Sequence, residues 1–174
     1  MKDFLRRAMW GFMALLFVVT GVGVGIYYFW QATQQDNQSQ AQNQDENKLA
    51  GKPLADFKPV PKVESLQKID KKTGTGAEAK LGSNVTVIYT GAVAATGIVF
   101  DSSLDSGQPA TFELKEVPGG LIKGWIEGLP GMKEGGERRL LIPAAMAYGA
   151  NPPPGIGIPP NADLVFDVTL LAVK

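Results

Sequence analysis

Neither cysteine nor histidine occurs anywhere in the 174-residue chain. Without cysteine there is no disulfide framework and no thiol nucleophile. Without histidine, Ser-His-Asp and Cys-His catalysis, HExxH zinc sites and the commonest general base are excluded. Chemistry is left to carboxylates, lysines and hydroxyls, or proceeds with no proton transfer at all. An excess of one charge is also missing, with 17 Lys and Arg against 17 Asp and Glu. Nucleic-acid binders usually carry a basic excess, so no nucleic-acid partner is expected. No metal and no cofactor is expected either.

What is present first is a long apolar run. No charged residue lies between Ala8 and Gln35, and Ala8 to Trp30 reads AMWGFMALLFVVTGVGVGIYYFW, 23 residues. A membrane-spanning helix needs roughly 20 mostly apolar residues. Lys2, Arg6 and Arg7 precede the run, and positive flanks stay on the cytoplasmic side. Residues 1–7 are therefore expected to be a cytoplasmic tail, 8–30 a transmembrane signal-anchor, and the rest of the chain extracytoplasmic. The aromatic cluster Tyr27 to Trp30 suits an interfacial belt. A cleaved signal peptide is the rival reading. It has an apolar core of about 7–15 residues and small residues at the cleavage site; here the core is longer and bulky aromatics stand in that place.

Residues 31–62 read as a stalk. Gln31 to Asn47 contains seven Gln, three Asn and no large apolar residue, too little apolar surface to offset chain entropy. GKPLADFKPVPK, Gly51 to Lys62, is proline-spaced and reads as extended. Regular patterning begins near Val63, so the folded domain is expected over 63–174.

Within it, strands are predicted at Val63–Asp70, Asn84–Gly91, Thr96–Ser103, Ala110–Leu114, Glu137–Pro143 and Asp163–Lys174. Val85, Val87 and Tyr89 share one face of their strand, as do Leu164, Phe166, Val168 and Leu170 of theirs. One segment is helical: in LIKGWIEGL, Leu121 to Leu129, the residues Ile122, Trp125, Ile126 and Leu129 recur at i, i+3, i+4 and i+7. Gly124 and Gly128 are poor helix formers and make sense if that helix lies very close to a sheet. The pattern is α+β, with five or six mostly antiparallel strands and one short helix. On periodicity alone, Trp125 and Phe166 read as core aromatics, Phe112 as core or at most a pocket neighbour, and Asp101 as a turn or cap residue. Tyr148 sits in a Pro- and Gly-rich loop, where an aromatic more often binds something.

VIYTG (87–91), VFDSS (99–103), LIKGWIEGL (121–129), AYGA (147–150) and IPPNADLVFDVTLL (158–171) follow one another in register. Together they resemble the FKBP-type peptidyl-prolyl cis-trans isomerases over essentially all of 63–174. That resemblance implies a five- to six-stranded antiparallel sheet curling around one short helix, with a proline-binding pocket between them. It implies catalytic roles for Asp101, Trp125, Tyr148 and Phe166. Trp125 is the pocket floor, Tyr148 offers a hydroxyl, and Asp101 is a lining carboxylate tied to a nearby hydroxyl. It implies substrate contacts from Tyr89, Phe100, Leu121, Ile122, Ile156 and Ile158, with the Ile122 N–H as a donor and Phe100 and Phe166 walling the proline ring. The partners implied are proline-containing polypeptides and macrolide inhibitors, and a monomer is expected. The sequence departs from the family at Ser106, where many relatives carry an arginine partner for the aspartate, and at Ala110, in place of a second pocket aromatic. The segment Lys115–Gly120 is longer, and Gly157 is extra in the proline loop. A non-catalytic proline-peptide-binding module, or a tethered subunit of a membrane complex, are the rival functions. The favoured expectation is an isomerase that assists folding of exported proteins at the bacterial periplasm or cell surface.

Overall fold

Alternation of apolar residues along two ten-residue strands organises the molecule. The computed structural model describes residues 48–117 and 120–174, and residues 48–174 form one compact unit. The strands are β1 (Gln67–Lys72), β2 (Asn84–Val93), β3 (Val99–Ser102), β4 (Ala110–Glu113), β5 (Glu137–Ile142) and β6 (Leu164–Val173). They form one six-stranded antiparallel sheet in the order β1-β5-β6-β2-β3. The short β4 joins β2 on the same edge as β3. That edge of β2 is therefore divided: Asn84 to Val87 pair with β4, and Thr90 to Ala92 pair with β3.

One face of the sheet packs Val85 and Val87 of β2, Leu140 and Ile142 of β5, and Leu164, Phe166, Val168 and Leu170 of β6 into the main core. Helix α1 (Ser103–Ser106) follows β3 directly, and helix α2 (Lys123–Gly128) covers the core face. Trp125, Ile126 and Leu129 are buried, as the helical stripe requires. The two glycines allow the close approach. A Cβ on Gly124 would run into the Ile142 side chain, and one on Gly128 would lie 2.8 Å from a Leu140 methyl. The helix is shorter than the predicted 121–129, because Ile122 is its N-cap with an extended ψ of 147°.

The opposite face is also covered, which the strand pattern did not announce. Residues 48–62, expected to be part of a free stalk, instead form a strap along β3 and the far side of the sheet. Gly51 N–H donates to Val99 O at 2.8 Å, Val99 N–H to Lys52 O at 2.9 Å, and Leu54 N–H to Gly97 O at 2.8 Å. Leu54 and Val63 are buried with Ala92, Val99, Leu141 and Val165, and Leu49, Phe57 and Val60 pack against them. The domain boundary thus lies near Lys48 rather than Val63. Val63 is a core residue ahead of β1, not the start of a strand. The expected tail (1–7), transmembrane helix (8–30) and the remaining stalk (31–47) lie outside the described residues. Among the described residues no helix is long and apolar enough to cross a membrane.

Two charged groups fasten the strap. Arg139 lies buried on β5 and grips Asp167 with Nε and Nη2, both at 2.6 Å. The same guanidinium donates to the carbonyls of Asp56 at 2.6 Å and Ala55 at 3.1 Å, and stands over the Phe57 ring at 5.3 Å. Asp163 is likewise buried. It accepts from the N–H of Val63 and of Ala144, each at 2.8 Å, with Lys62 Nζ at 3.5 Å. Burial alone would raise the Asp163 pKa, but these donors outweigh it and hold the carboxyl below its usual range. At Asp167, burial is likewise outweighed, by Arg139 and Lys71.

Two outcomes follow. A chain starting at Val63 loses the Leu54 side chain from the core and leaves Arg139 without two carbonyl acceptors. Urea titration should find it at least ~2 kcal/mol less stable than a chain starting at Lys48; equal midpoints would refute a structural role for the strap. Because Asp163 and Asp167 titrate lower folded than unfolded, their stabilisation is complete above the unfolded value of about 4 and disappears as pH falls through the folded values. Urea midpoints should therefore drop on acidification below about pH 4, and Asp163→Asn should be less stable at neutral pH with a shallower acid decline.

Candidate functional site

Between α2 and the sheet lies a cavity of about 390 Å³. Its base is Trp125, only 3% exposed. The indole is held edge-on by three rings, those of Tyr89, Phe112 and Phe166, each 5.4 Å away between centroids with interplanar angles of 79–89°. Phe100 adds a wall by meeting Phe166 edge-on at 5.7 Å. Such perpendicular contacts set the positive ring edge against the negative face of its neighbour and lock ring orientation. Leu121, Ile122 and Gly120 close the side nearest the helix start, and Tyr148 stands at the rim.

The division of the β2 edge places the polar part of the site. Tyr89 falls at the gap where pairing with β4 has ended and pairing with β3 has not begun. Its backbone would lack partners there. The Ser103 hydroxyl accepts from Tyr89 N–H at 2.9 Å, and the Ser102 hydroxyl donates to Tyr89 O at 3.0 Å. Ser102 also caps α1 through Leu104 N–H and meets Thr90 Oγ1 at 2.9 Å. Asp101, on β3, pairs with Gly91, two residues beyond Tyr89 on β2, and the Tyr89 hydroxyl donates to Asp101 Oδ2 at 2.6 Å. Burial, then the bond and charge of Asp101, push the Tyr89 pKa far above the ordinary tyrosine value. Burial and the Asp101 charge also raise Tyr148. Both phenols thus stay protonated donors across the physiological range.

Two donors are left for a ligand. Among the described residues, neither the Tyr148 hydroxyl nor the Ile122 N–H has an acceptor. The second is one of the unpaired N–H groups expected ahead of a helix. Among the described residues no group of acidic side chains is placed to hold a metal ion.

Eight of the ten residues singled out from the sequence line this cavity: Tyr89, Phe100, Asp101, Leu121, Ile122, Trp125, Tyr148 and Phe166. Ile156 and Ile158 do not. Ile158 is 7% exposed and packs in the main core, anchoring the proline loop from below. Ile156 borders a neighbouring groove. Loop residues carry no periodicity that tells which way a side chain turns. Phe112, expected as core or at most a pocket neighbour, packs on the core and lines the cavity, as its place on β4 opposite Val85 of β2 explains. Ser106, at the position of the missing arginine, donates to Ser103 O at 2.8 Å, inside α1. Gly91 was not singled out, yet a Cβ there would lie 2.6 Å from the Phe166 ring and 2.8 Å from the Phe100 ring.

A family model for FKBP-type peptidyl-prolyl cis-trans isomerases matches residues 76–171. An FK506-binding protein of Neisseria meningitidis serogroup B is 52% identical over 104 residues, 60% of this chain and 92% of that protein. A peptidyl-prolyl cis-trans isomerase of Saccharomyces cerevisiae is 50% identical over 97 residues, 56% of this chain and 70% of that protein. Among solved structures, a peptidyl-prolyl cis-trans isomerase from Pseudomonas syringae superposes with a TM-score of 0.55 at 32% identity, covering 66% of this chain and 80% of that one.

The rings facing Gly91 give the site its own test. Gly91→Ala forces Phe166 and Phe100 aside, so it should cost roughly 1–3 kcal/mol as an overpacked contact. It should also change the near-ultraviolet circular dichroism of the aromatic cluster. An unaltered spectrum with unaltered stability would contradict this packing.

Proposed function

The chain belongs to the FKBP-type peptidyl-prolyl cis-trans isomerases, and from that premise we propose how its own residues carry the reaction. Rotation about a peptide bond meets a barrier of ~18–20 kcal/mol because resonance is broken on the way. For X-Pro the two planar forms are close in energy but exchange over tens to hundreds of seconds. The twisted transition state has lost conjugation and carries less charge on the carbonyl oxygen. A dry aromatic cavity therefore favours it over the planar amide. No nucleophile and no base is required, which suits a chain without histidine or cysteine.

The single observation that carries this reading is the ring cage on Trp125, with unpaired donors at its edge. In this reading the proline ring lies on Trp125 between Phe100 and Phe166. The Ile122 N–H and the Tyr148 hydroxyl hold the substrate backbone. Asp101 fixes the Tyr89 ring through the 2.6 Å bond and presents its carboxylate at the cavity edge. Leu121 completes the apolar lining; Ile158 and Ile156 support the loop that carries Tyr148. Relatives such as the Neisseria meningitidis protein are named for FK506 binding, and a macrolide of that kind fits the same cavity as an inhibitor.

The setting we propose is the far side of a cytoplasmic membrane. The support is the uncharged run 8–30 behind Lys2, Arg6 and Arg7. There a monomeric domain, beginning near Lys48 on a polar tether, acts on exported polypeptides as they fold.

The test is cis–trans exchange in a Leu-Pro or Phe-Pro peptide. Tyr148→Phe keeps the ring and removes a hydroxyl that has no partner among the described residues. It should lower kcat/KM several-fold, up to about tenfold for one lost hydrogen bond, while leaving the unfolding midpoint unchanged. Full activity in this variant would remove Tyr148 from the mechanism, and an inactive wild-type protein would remove the mechanism itself.

A further inference from the structure

Beside the catalytic cavity runs a second depression, about 410 Å³ in volume. Three separate segments build it. The strap supplies Ala50 and Gly51, the turn between β2 and β3 supplies Ile98 and its neighbours, and the proline loop supplies Gly155 to Gly157. No lining side chain is charged. Ile98 is 40% exposed, although it sits in a well-bonded turn: Val93 N–H donates to its carbonyl and its own N–H to the Thr96 hydroxyl. Gly155 and Gly157 have φ of 84° and 71°, a region that favours glycine. A Cβ at either would meet nothing within 4 Å, so the glycines leave that wall low and open.

Phe100 lines both this groove and the catalytic cavity. One side chain is thus the partition between them. A polypeptide whose proline is held at Trp125 must leave the cavity on both sides, and the groove continues the site past Phe100. We propose that the groove is a second binding surface for the substrate polypeptide, taking an apolar side chain that lies further along the chain than the residues next to the isomerised proline. This rests on the isomerase reading given above. The chemistry selects unfolded chains: a surface with no charge gains from apolar side chains, which folded proteins keep inside. The chain's own neighbouring segment is a poor occupant, since residues 31–47 hold no large apolar side chain.

The experiment uses the full chain in detergent with three peptides. One is a proline tetrapeptide, too short to pass Phe100. The others extend the same core on both sides with leucines or with serines. Exchange rate and binding constant are both measured. The wild-type protein should favour the leucine-extended peptide over the serine-extended one by about tenfold in kcat/KM and in Kd. Ile98→Glu and the milder Ile98→Ser should abolish that preference and leave tetrapeptide turnover unchanged. Equal treatment of the two long peptides by the wild-type protein would overturn the proposal, as would an equal fall on all three peptides in both variants. A chain lacking 31–47 that binds the leucine peptide markedly better would assign the groove to that segment and overturn it too. If the tetrapeptide is not turned over at all, the isomerase reading fails, and the leucine-over-serine difference in Kd, with its loss in Ile98→Glu, still decides the groove.

Discussion

The close approach of α2 to the sheet is the constraint on which the site depends. A six-residue helix has few contacts with which to hold its place. Gly124 and Gly128 remove the two side chains that would stand between it and Ile142 and Leu140. With the backbone that near, Trp125 projects into the rings of β2, β4 and β6 rather than over them. Three edge-on contacts then fix the indole. A small residue in a helix is ordinarily a weakness; at these two positions the tertiary packing outweighs the lost propensity. The cavity is what remains of the space between helix and sheet once the rings have been set.

The polar side of the site has a different origin. It comes from a fault in the sheet. Because β4 stops pairing with β2 before β3 begins, Tyr89 has a backbone in need of partners, and Ser102 and Ser103 supply them from the turn after β3. Buried backbone groups are rarely left unpaired, so this turn has little freedom. Asp101 precedes those serines and is carried to the Tyr89 hydroxyl by the same bonds. The short bond between them is therefore a consequence of sheet topology as much as of side-chain attraction.

Much of this was legible in the sequence, for a definite reason. Residues of β2 and β6 alternate, so Val85, Val87, Leu164, Phe166, Val168 and Leu170 declare their face. The α2 stripe declares itself at the helical period, and its glycines signal close packing. What was not legible lacks a period. The strap is spaced by prolines and reads as a solvated spacer; only Arg139 and Asp163, far along the chain, reveal what it binds. The proline loop gave no indication that Ile158 turns into the core while Ile156 turns toward the second groove. Nor did Ser102 and Ser103 announce their role, since a hydroxyl that completes a broken edge is visible only once the edge is known. Eight of the residues that the resemblance names line one cavity, because a family motif preserves three-dimensional neighbours that local patterning cannot register.

The attachment of the strap also decides how the domain answers to force. Leu49 and Ala50 donate their N–H groups to the two oxygens of Asp105, at 2.7 and 3.0 Å, and the next residues pair with β3. Tension applied to the chain at Lys48 therefore reaches α1 first and the strap hydrogen bonds next. The strap is thus a mooring as well as a cover: the bonds at Asp105, Val99 and Gly97 stand between the tether and the rings around Trp125.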